Sequence, residues 1–298
     1  MHATTSGGAT MEQFSGRVAV VTGAASGIGF ALAERAGREG MSVVLSDIEA
    51  GALEAAVEKV RGLGVKAIGV RTDVSKEADV EALAERAYGE FGAVHLLCLN
   101  AGVYNRQRAT WLQSVDDWRW VLDVNLWGVI HGIRAFVPRM LAGGKEGHIV
   151  NTASMAGVIT GGPGTAVYDA SKHAVRSLTE SLYRDLVVRT KQLSVSVLCP
   201  GAVDTRIFEA ERNRPADLSV PEGPEPTSGV ASALGQYPPE EMANQVFDAV
   251  RADRFYVLAA QQPIIEWTKM GYDRMFGGKN PAVSHSLLAQ RDAGHPVE

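Results

Sequence analysis

The feature that most constrains the fold is a glycine-rich turn directly after a short apolar run. Residues 18–21 read Val-Ala-Val-Val, and Thr22 leads into Gly-Ala-Ala-Ser-Gly-Ile-Gly at 23–29. A continuous apolar run rich in valine is typical of a strand that is buried on both faces of a parallel sheet. We therefore expect a strand, a tight turn and a helix that begins near Gly27.

A turn that binds a phosphate group needs glycine at these positions for physical reasons. One permits the tight turn, one lets backbone N–H groups approach a pyrophosphate at the positive end of the helix, and one lets helix and strand pack closely. The spacing, Gly-x-x-x-Gly-x-Gly, departs from the commoner Gly-x-Gly-x-x-Gly fingerprint. Glycine turns also merely connect elements, so this turn alone does not establish nucleotide binding.

A second strand places an acidic residue where a dinucleotide-binding unit needs one. The helix 27–39 ends at Gly40, an apolar strand follows over 41–46, and Asp47 comes next. A carboxylate at this point accepts both adenosine ribose hydroxyls but repels a 2′-phosphate, and Ser26 and Ile48 supply no cation. Asp47 therefore favours NAD over NADP. The alternative is that Asp47 simply caps the next helix.

Strands and helices alternate along most of the remaining chain. This order predicts an α/β, single-domain Rossmann fold with a doubly wound parallel sheet of about seven strands and helices on both faces. Loops at the carboxyl ends of the strands then converge on one ligand crevice. The further predicted strands are 65–71, 94–99, 148–153, 193–199 and 254–259, and the further helices are 50–62, 79–91, 114–140, 165–189 and 239–252.

Two residues on one helix suit proton transfer. Tyr168 and Lys172 are four residues apart, so they lie on one helix face, where the cation can lower the pKa of the phenol. Such pairs also arise by chance on exposed helices. Ser154 follows the fifth strand and is either a crevice residue or a turn serine.

Asn125 lies among apolar residues of the helix that begins near residue 114. A polar amide there costs free energy unless it is hydrogen-bonded, so it is either a satisfied core residue or a site residue. We expect Pro138 to kink or end this helix, because proline lacks the N–H that continues the hydrogen-bond ladder.

Taken together, these motifs resemble the short-chain dehydrogenase/reductase family over about residues 14–260. The resemblance implies an NAD(P)-binding Rossmann domain, a catalytic set of Asn125, Ser154, Tyr168 and Lys172, and a homotetramer or homodimer. In the family pattern Asn125 positions a water beside Lys172, and Thr205 contacts the nicotinamide carboxamide. The matching motifs are Thr22-Gly23-x-x-x-Gly27-Ile28-Gly29, Asp73, Asn100-Ala101-Gly102, Asn125, Ser154, Tyr168-x-x-x-Lys172 and Pro200-Gly201.

The expected activity is NAD-dependent interconversion of a secondary alcohol and a ketone by hydride transfer, with Tyr168 as general acid/base. Two alternatives remain: an NADPH-dependent carbonyl or 3-oxoacyl reductase, and a non-catalytic nucleotide-binding sensor. Val103, Tyr104, Trp111, Val158 and Val167 are candidate walls for an apolar or cyclic substrate. The expected cofactor contacts are Gly23, Ser26, Gly27, Ile28, Gly29, Asp47, Asp73, Val74, Asn100, Ala101, Gly102, Tyr168, Lys172, Pro200, Gly201, Val203 and Thr205.

The segments around the motifs divide the chain further. We expect a flexible N-terminal extension over 1–13 and the dehydrogenase domain over 14–260. Residues 206–237 are rich in proline, serine, glycine and acidic residues, which predicts a mobile substrate lid or else a disordered insertion. Residues 261–298 form a C-terminal extension that packs on the site or on a neighbouring subunit, with an apolar stripe of Trp267, Tyr272, Met275 and Phe276.

Composition excludes some other functions. A net charge of -5 gives no support for nucleic-acid binding. We expect no membrane partner, because no apolar run approaches the length of a bilayer span, and a cytoplasmic location, because the start lacks a signal pattern. Cys98 and Cys199 lie in predicted strands as reduced core thiols, and the histidines lack metal-ligand spacing, so no metal is expected.

Overall fold

The computed structural model describes residues 11–219 and 233–293. Its strands are β1 Val18–Thr22, β2 Ser42–Asp47, β3 Ala67–Arg71, β4 Leu96–Leu99, β5 Gly147–Thr152, β6 Leu193–Leu198 and β7 Tyr256–Val257. They form one seven-stranded sheet in the order β3-β2-β1-β4-β5-β6-β7, and all neighbouring strands are parallel. The predicted single-domain, doubly wound fold is confirmed.

The helices follow the strands in the predicted alternation. They are α1 Gly27–Arg38, α2 Ala50–Arg61, α3 Glu77–Phe91, α4 Val115–Leu122, α5 Gly128–Gly143, α6 Ala166–Arg189, α7 Pro239–Arg251, α8 Gln262–Phe276 and α9 His285–Asp292. Short 3-10 helices lie at Thr110–Leu112, Met155–Gly157 and Arg206–Asn213. The last strand is much shorter than the predicted 254–259.

Alternate residues of the central strands feed two hydrophobic cores. Ala19 and Val21 pack with α1, α2 and α7 on one face of the sheet. Val20 points to the other face, where it packs with residues of α3, α5 and α6. Both faces are therefore covered, which explains why the strands read as continuous apolar runs rather than as alternating ones.

The sheet order reverses at β1, which pairs with β2 on one side and with β4 on the other. The chain leaves β1 toward one edge of the sheet and later returns to build the other half. In an open parallel sheet, a crevice forms outside the carboxyl ends of the strands at such a switch point. This topology determines where the polar motifs meet.

The helix predicted over 114–140 has a different internal structure. A π-helical turn at Asp123–Trp127 separates α4 from α5. Of the two outcomes predicted for Pro138, a kink or an end of the helix, the end is wrong, because α5 continues past it to Gly143. Phe136 and Met140 flank the proline and are buried against the sheet. Their burial contributes about 1.5–3 kcal/mol each, which offsets the lost hydrogen bond.

The flanking segments are described only in part. Of the predicted N-terminal extension, residues 1–10 lie outside the described residues, and Met11 and Phe14 are buried in the core. Of the predicted lid, residues 206–219 and 233–237 are described, and we call 206–219 the lid segment. Residues 294–298 of the C-terminal extension also lie outside the described part. Within the described ranges, the helices are too short or too polar to cross a bilayer.

Candidate active site

The carboxyl ends of the strands open onto a cavity of about 1570 Å³. Sites for single small ligands typically measure about 300–1,000 Å³, so this cavity has room for a dinucleotide together with a second molecule. Of the residues predicted from the sequence as site residues, all line the cavity except Gly29 and Asn125. Both of these lie directly behind its wall.

The glycine turn forms one end of the cavity. Gly23 and Gly27 have positive φ angles of 66° and 54°, which favour glycine. A Cβ at Gly29 would lie 2.0 Å from the carbonyl oxygen of Gly23, so Gly29 permits the close packing of helix and turn. The start of α1 faces the cavity beside Ser26. Free N–H groups and open backbone at a helix start fit a pyrophosphate.

Asp47 ends β2 at the rim of the cavity. Its Oδ2 accepts a hydrogen bond from the N–H of Ala25 at 2.9 Å, and its Oδ1 accepts one from the N–H of Glu49 at 3.0 Å. The N-cap residue of α2 is Glu49, so Asp47 is not the helix cap that the sequence left as an alternative. Two backbone donors hold the carboxylate in place at the cavity.

Thr22 ties the glycine turn to the loop after β4. Its Oγ1 accepts hydrogen bonds from the N–H groups of Asn100 and Ala101 at 2.9 and 3.1 Å. A Cβ at Gly102 would lie 3.2 Å from Lys172 Nζ, so the loop backbone passes close to the lysine. On the other wall, Asp73 accepts a hydrogen bond from Ser75 Oγ at 2.6 Å.

Tyr168, Ser154 and Lys172 meet on one wall of the cavity. Tyr168 is 9% exposed, and its ring centroid lies 5.7 Å from Lys172 Nζ. Ser154 lies beside the Tyr168 side chain, close enough to lower the pKa of its phenol. Lys172 Nζ donates to the carbonyl oxygen of Thr152 at 3.1 Å and is almost fully buried. A proton-transfer group and a cation therefore share one dry surface.

Burial shifts the pKa values of Tyr168 and Lys172 in opposite directions. It raises the pKa of Tyr168, against a smaller lowering by the neighbouring Ser154. It lowers the pKa of Lys172 to about 8. Burial outweighs the other effects on the phenol, and in this geometry the Lys172 ammonium is directed at the Thr152 carbonyl, so its effect on the Tyr168 phenol stays a prediction.

Asn125 lies in the π-helical turn and is fully buried. Its Oδ1 accepts from the N–H of Val103 at 2.8 Å, and its Nδ2 donates to the carbonyl of Val103 and to Ser171 Oγ, both at 3.0 Å. The amide thus joins the loop after β4 to helix α6. Its polar atoms are satisfied, and π-helical turns occur frequently at functional sites.

The loop after β6 closes the cavity opposite α6. Pro200, Gly201, Val203 and Thr205 line it, and a Cβ at Gly27 would lie 3.1 Å from Thr205 Cγ2. Gln261 holds this loop, since its Nε2 donates to the carbonyl of Ala202 at 2.9 Å and its Oε1 accepts from the N–H of the same residue at 3.2 Å. Sequence reasoning missed Gln261, because no motif surrounds it.

Aromatic and aliphatic side chains surround the end of the cavity near Tyr168. The ring of Tyr104 lies 4.7 Å from that of Tyr168 and 5.1 Å from that of Phe208. Of the predicted walls, Val103 and Tyr104 line the cavity, but Trp111, Val158 and Val167 are not among its lining residues. Trp111 is 84% exposed, and Val167 is buried in a separate small core.

The lid segment, which is part of the lid predicted over 206–237, packs onto the cavity. Arg214 forms an ion pair with Asp117 at 2.8 Å, and these side chains are 1% and 0% exposed. The Arg214 guanidinium also lies 4.9 Å from the ring centroid of Trp120. At the other rim, Arg212 pairs with Glu49 at 2.7 Å. The lid segment therefore contacts both rims of the cleft.

Helix α8 packs on the loop after β5. Tyr272 Oη donates to the carbonyl of Val158 at 3.1 Å, and a Cβ at Gly271 would lie 2.4 Å from Ile159 Cδ1. The predicted apolar stripe is not the packed face, because Trp267, Met275 and Phe276 are 44, 58 and 81% exposed. In the described ranges, no group of three or more potential metal ligands is found.

Comparisons with known proteins agree with this geometry. Residues 17–216 match the family described as short chain dehydrogenase. The 1-deoxy-11-beta-hydroxypentalenate dehydrogenase of Streptomyces avermitilis is 41% identical over 243 residues, which cover 80% of this chain and 83% of that protein. The C alpha-dehydrogenase of a Sphingobium species is 33% identical over 252 residues, which cover 83% of this chain and 82% of that protein.

A solved structure is similar along almost the whole chain. A short chain dehydrogenase/reductase from Burkholderia phymatum, crystallised in complex with NAD, superposes with a TM-score of 0.84 at 42% sequence identity. The match covers 92% of this chain and 99% of that one.

Proposed function

The chain belongs to the short-chain dehydrogenase/reductase family, and we propose that it is an NAD-dependent enzyme that interconverts a secondary alcohol and a ketone. As a member of this family it is an oxidoreductase that acts on CH–OH groups. The observation that carries the proposal is that Tyr168, Ser154 and Lys172 share one cavity with the glycine turn and Asp47.

Tyr168 is the general acid/base of the proposed reaction. Its Oη takes the hydroxyl proton of the alcohol during oxidation and returns it to the carbonyl oxygen during reduction. The Ser154 hydroxyl donates a hydrogen bond to the same substrate oxygen and holds it beside the phenol. A bound NAD supplies the acceptor for the hydride that leaves the carbon.

Lys172 and Asn125 organise this pair. The buried ammonium of Lys172 stabilises negative charge on the tyrosine oxygen when the proton is transferred, and it holds a ribose hydroxyl. Asn125 fixes Val103 and Ser171 around the lysine. A water beside Asn125 connects Lys172 to solvent, as the family pattern implies.

The remaining predicted contacts hold the dinucleotide. The glycine turn receives the pyrophosphate, Asp47 accepts hydrogen bonds from the adenosine ribose, and Asp73 and Val74 border the adenine. Asn100, Ala101, Gly102 and the loop from Pro200 to Thr205 enclose the nicotinamide end. The similar Burkholderia phymatum protein, which was crystallised with NAD, supports this choice of cofactor.

The substrate is an apolar, cyclic secondary alcohol or its ketone. Tyr104 contacts Tyr168 and Phe208, and the apolar side chains of Leu218, Ile264 and Trp267 also line the cavity. The name of the Streptomyces avermitilis relative, a hydroxypentalenate dehydrogenase, agrees with such a class. We also retain the predictions of a homotetramer or homodimer and of a cytoplasmic location.

Titration with NADH and, separately, NADPH tests the proposal directly, with nicotinamide fluorescence as the signal. We expect NADH to bind much more tightly, after which NAD and a panel of cyclic secondary alcohols should yield NADH. Binding of neither nucleotide would contradict the proposed function. An NADPH-dependent reductase is the second candidate, because Arg206 and Arg212 lie at the rim near Asp47, and preferential binding of NADPH would favour it.

A further inference from the structure

Two arginines of the lid segment converge on a glutamate beside Asp47. Glu49 Oε1 accepts hydrogen bonds from Arg212 Nε at 2.9 Å and from Asn213 Nδ2 at 3.0 Å. Arg206 Nη1 lies 3.9 Å from Glu49 Oε2. Asp47, Glu49, Arg206 and Arg212 all line the same cavity. The sequence shows no cation near Asp47, and the fold supplies two.

The Arg212 guanidinium is held from behind by backbone oxygens. Its Nη1 donates to the carbonyls of Arg206 and Glu209 at 3.1 and 2.9 Å. The remaining edge, Nε and Nη2, faces Glu49 at 2.9 and 2.7 Å. Both contacts are to the one oxygen Oε1, and an edge with two N–H donors binds an oxygen of a carboxylate or of a phosphate.

The position of Arg212 does not depend on Glu49 alone. Arg214, two residues further on, is anchored by its buried ion pair with Asp117 on the opposite rim. Ser219 adds a hydrogen bond from its Oγ to Asp116 at 2.7 Å. Loss of the Glu49 charge therefore leaves the lid segment attached and Arg212 at the rim, with its outer edge open to another anion.

Glu49 is ionised at neutral pH. Partial burial opposes its ionisation, but hydrogen bonds from Asn213 and Arg212 outweigh it and keep the pKa of the carboxyl below its ordinary value. The N–H of Glu49 also holds the Asp47 carboxylate at 3.0 Å. Two negative charges thus stand side by side at the end of β2.

We propose that Glu49 is a second determinant of cofactor choice: it adds a negative charge beside Asp47 and occupies the lid arginines, which otherwise bind a 2′-phosphate. This inference rests on the proposed function, since it requires a dinucleotide whose adenosine ribose lies at Asp47. Removal of Asp47 alone leaves Arg212 occupied by Glu49, so it relaxes cofactor choice only in part.

The test compares NADPH and NADH dissociation constants, measured by fluorescence, in four variants of the full chain. The first variant is Asp47→Ala, the second adds Glu49→Gln to it, and the third adds Arg212→Ala to that double variant. The matched control is Glu58→Gln in the same background. Glu58 lies on α2, where it forms an exposed ion pair with Arg61 at a distance of 2.6 Å.

We expect the added Glu49→Gln substitution to lower the dissociation constant of NADPH about tenfold relative to Asp47→Ala alone, because one new charged contact contributes about that much. The dissociation constant of NADH should change little. Arg212→Ala should cancel this gain, and Glu58→Gln should produce none. Two results would overturn the inference: an NADPH dissociation constant that is the same in the double variant as in Asp47→Ala, or a gain in NADPH affinity that survives Arg212→Ala. In either case, NADH binding by the wild type would leave the proposed function intact. Binding of neither nucleotide by the wild type would overturn both.

Discussion

At the residue scale, burial sets the protonation states of the two groups nearest the proposed chemistry. It keeps the Tyr168 phenol protonated and brings the pKa of Lys172 down to about 8. The spacing of the two residues in sequence predicts that they share a helix face, but it does not contain the effect of burial on the pKa of the phenol. Desolvation depends on everything packed around a side chain, and a local motif does not contain that information.

Replacement of Tyr168 by phenylalanine tests its role as acid/base. We expect alcohol oxidation to fall about 10²–10⁴-fold, the usual contribution of a general acid or base, while NADH binding changes little. Tyr183→Phe is the control, because Tyr183 lies on the same helix and contacts Phe255 instead. Retention of activity in Tyr168→Phe would support a non-catalytic nucleotide-binding role.

The pKa directions predict an asymmetric pH dependence. Oxidation requires the deprotonated phenol, so its kcat/KM should rise with pH up to about 8, where Lys172 loses its proton and the rise flattens. Reduction requires the protonated phenol, which persists over this range because its pKa is raised, so its rate should stay flat. Steady-state profiles in both directions measure this. A flat oxidation profile or a fall in reduction near neutrality would contradict the assignment.

At the element scale, most helices and strands could be predicted from the sequence, but the π-helical turn and the position of the lid segment could not. The spacing of apolar residues and the positions of turn-forming residues predict these elements, because both signals are local in the sequence. The π-helical turn at Asp123–Trp127 has no such signal, and its Asn125 is fixed by Val103 and Ser171, distant in sequence. The position of the lid segment has no local signal either, because Arg214 docks it through a partner almost a hundred residues away.

Replacement of Arg214 by methionine should undock the lid segment. It leaves Asp117 as an unpaired buried carboxylate, which costs about 3–5 kcal/mol unless the segment moves away. We expect the KM for the alcohol to rise by about tenfold or more and chymotrypsin to cleave near Phe208. Arg189→Met is the control, because its ion pair with Asp185 is 61 and 62% exposed. Unchanged KM and cleavage in Arg214→Met would argue against a docked lid.

At the scale of the whole molecule, the fold could be predicted because β1, the glycine turn and the alternation of elements all point to one topology. Asp47 and Asn100 could be assigned to the cavity for the same reason, as each follows a parallel strand. The substrate end could be predicted only in part, through Val103 and Tyr104. Phe208, Ile264 and Trp267 also line the cavity, and the order of the strands alone does not place these side chains.

Binding of the cofactor should stabilise the whole fold. At a concentration a hundred times its Kd, NADH adds about 2.7 kcal/mol, which corresponds to a rise in Tm of about 4 °C for a chain of this length. NADPH at the same concentration should give a smaller rise if Asp47 and Glu49 exclude it. Differential scanning fluorimetry measures both shifts. Equal shifts for the two nucleotides would contradict the proposed preference for NAD.

The role of Gln261 in holding the loop after β6 has a consequence for biosynthesis. Gln261 follows the last strand of the sheet, yet the loop that it braces meets Gly27 at the start of α1. A nascent chain emerging from the ribosome thus carries its glycine turn long before the opposite wall has been translated. The loop is braced only once Gln261 has also left the exit tunnel, so a product truncated before this residue lacks a finished cleft.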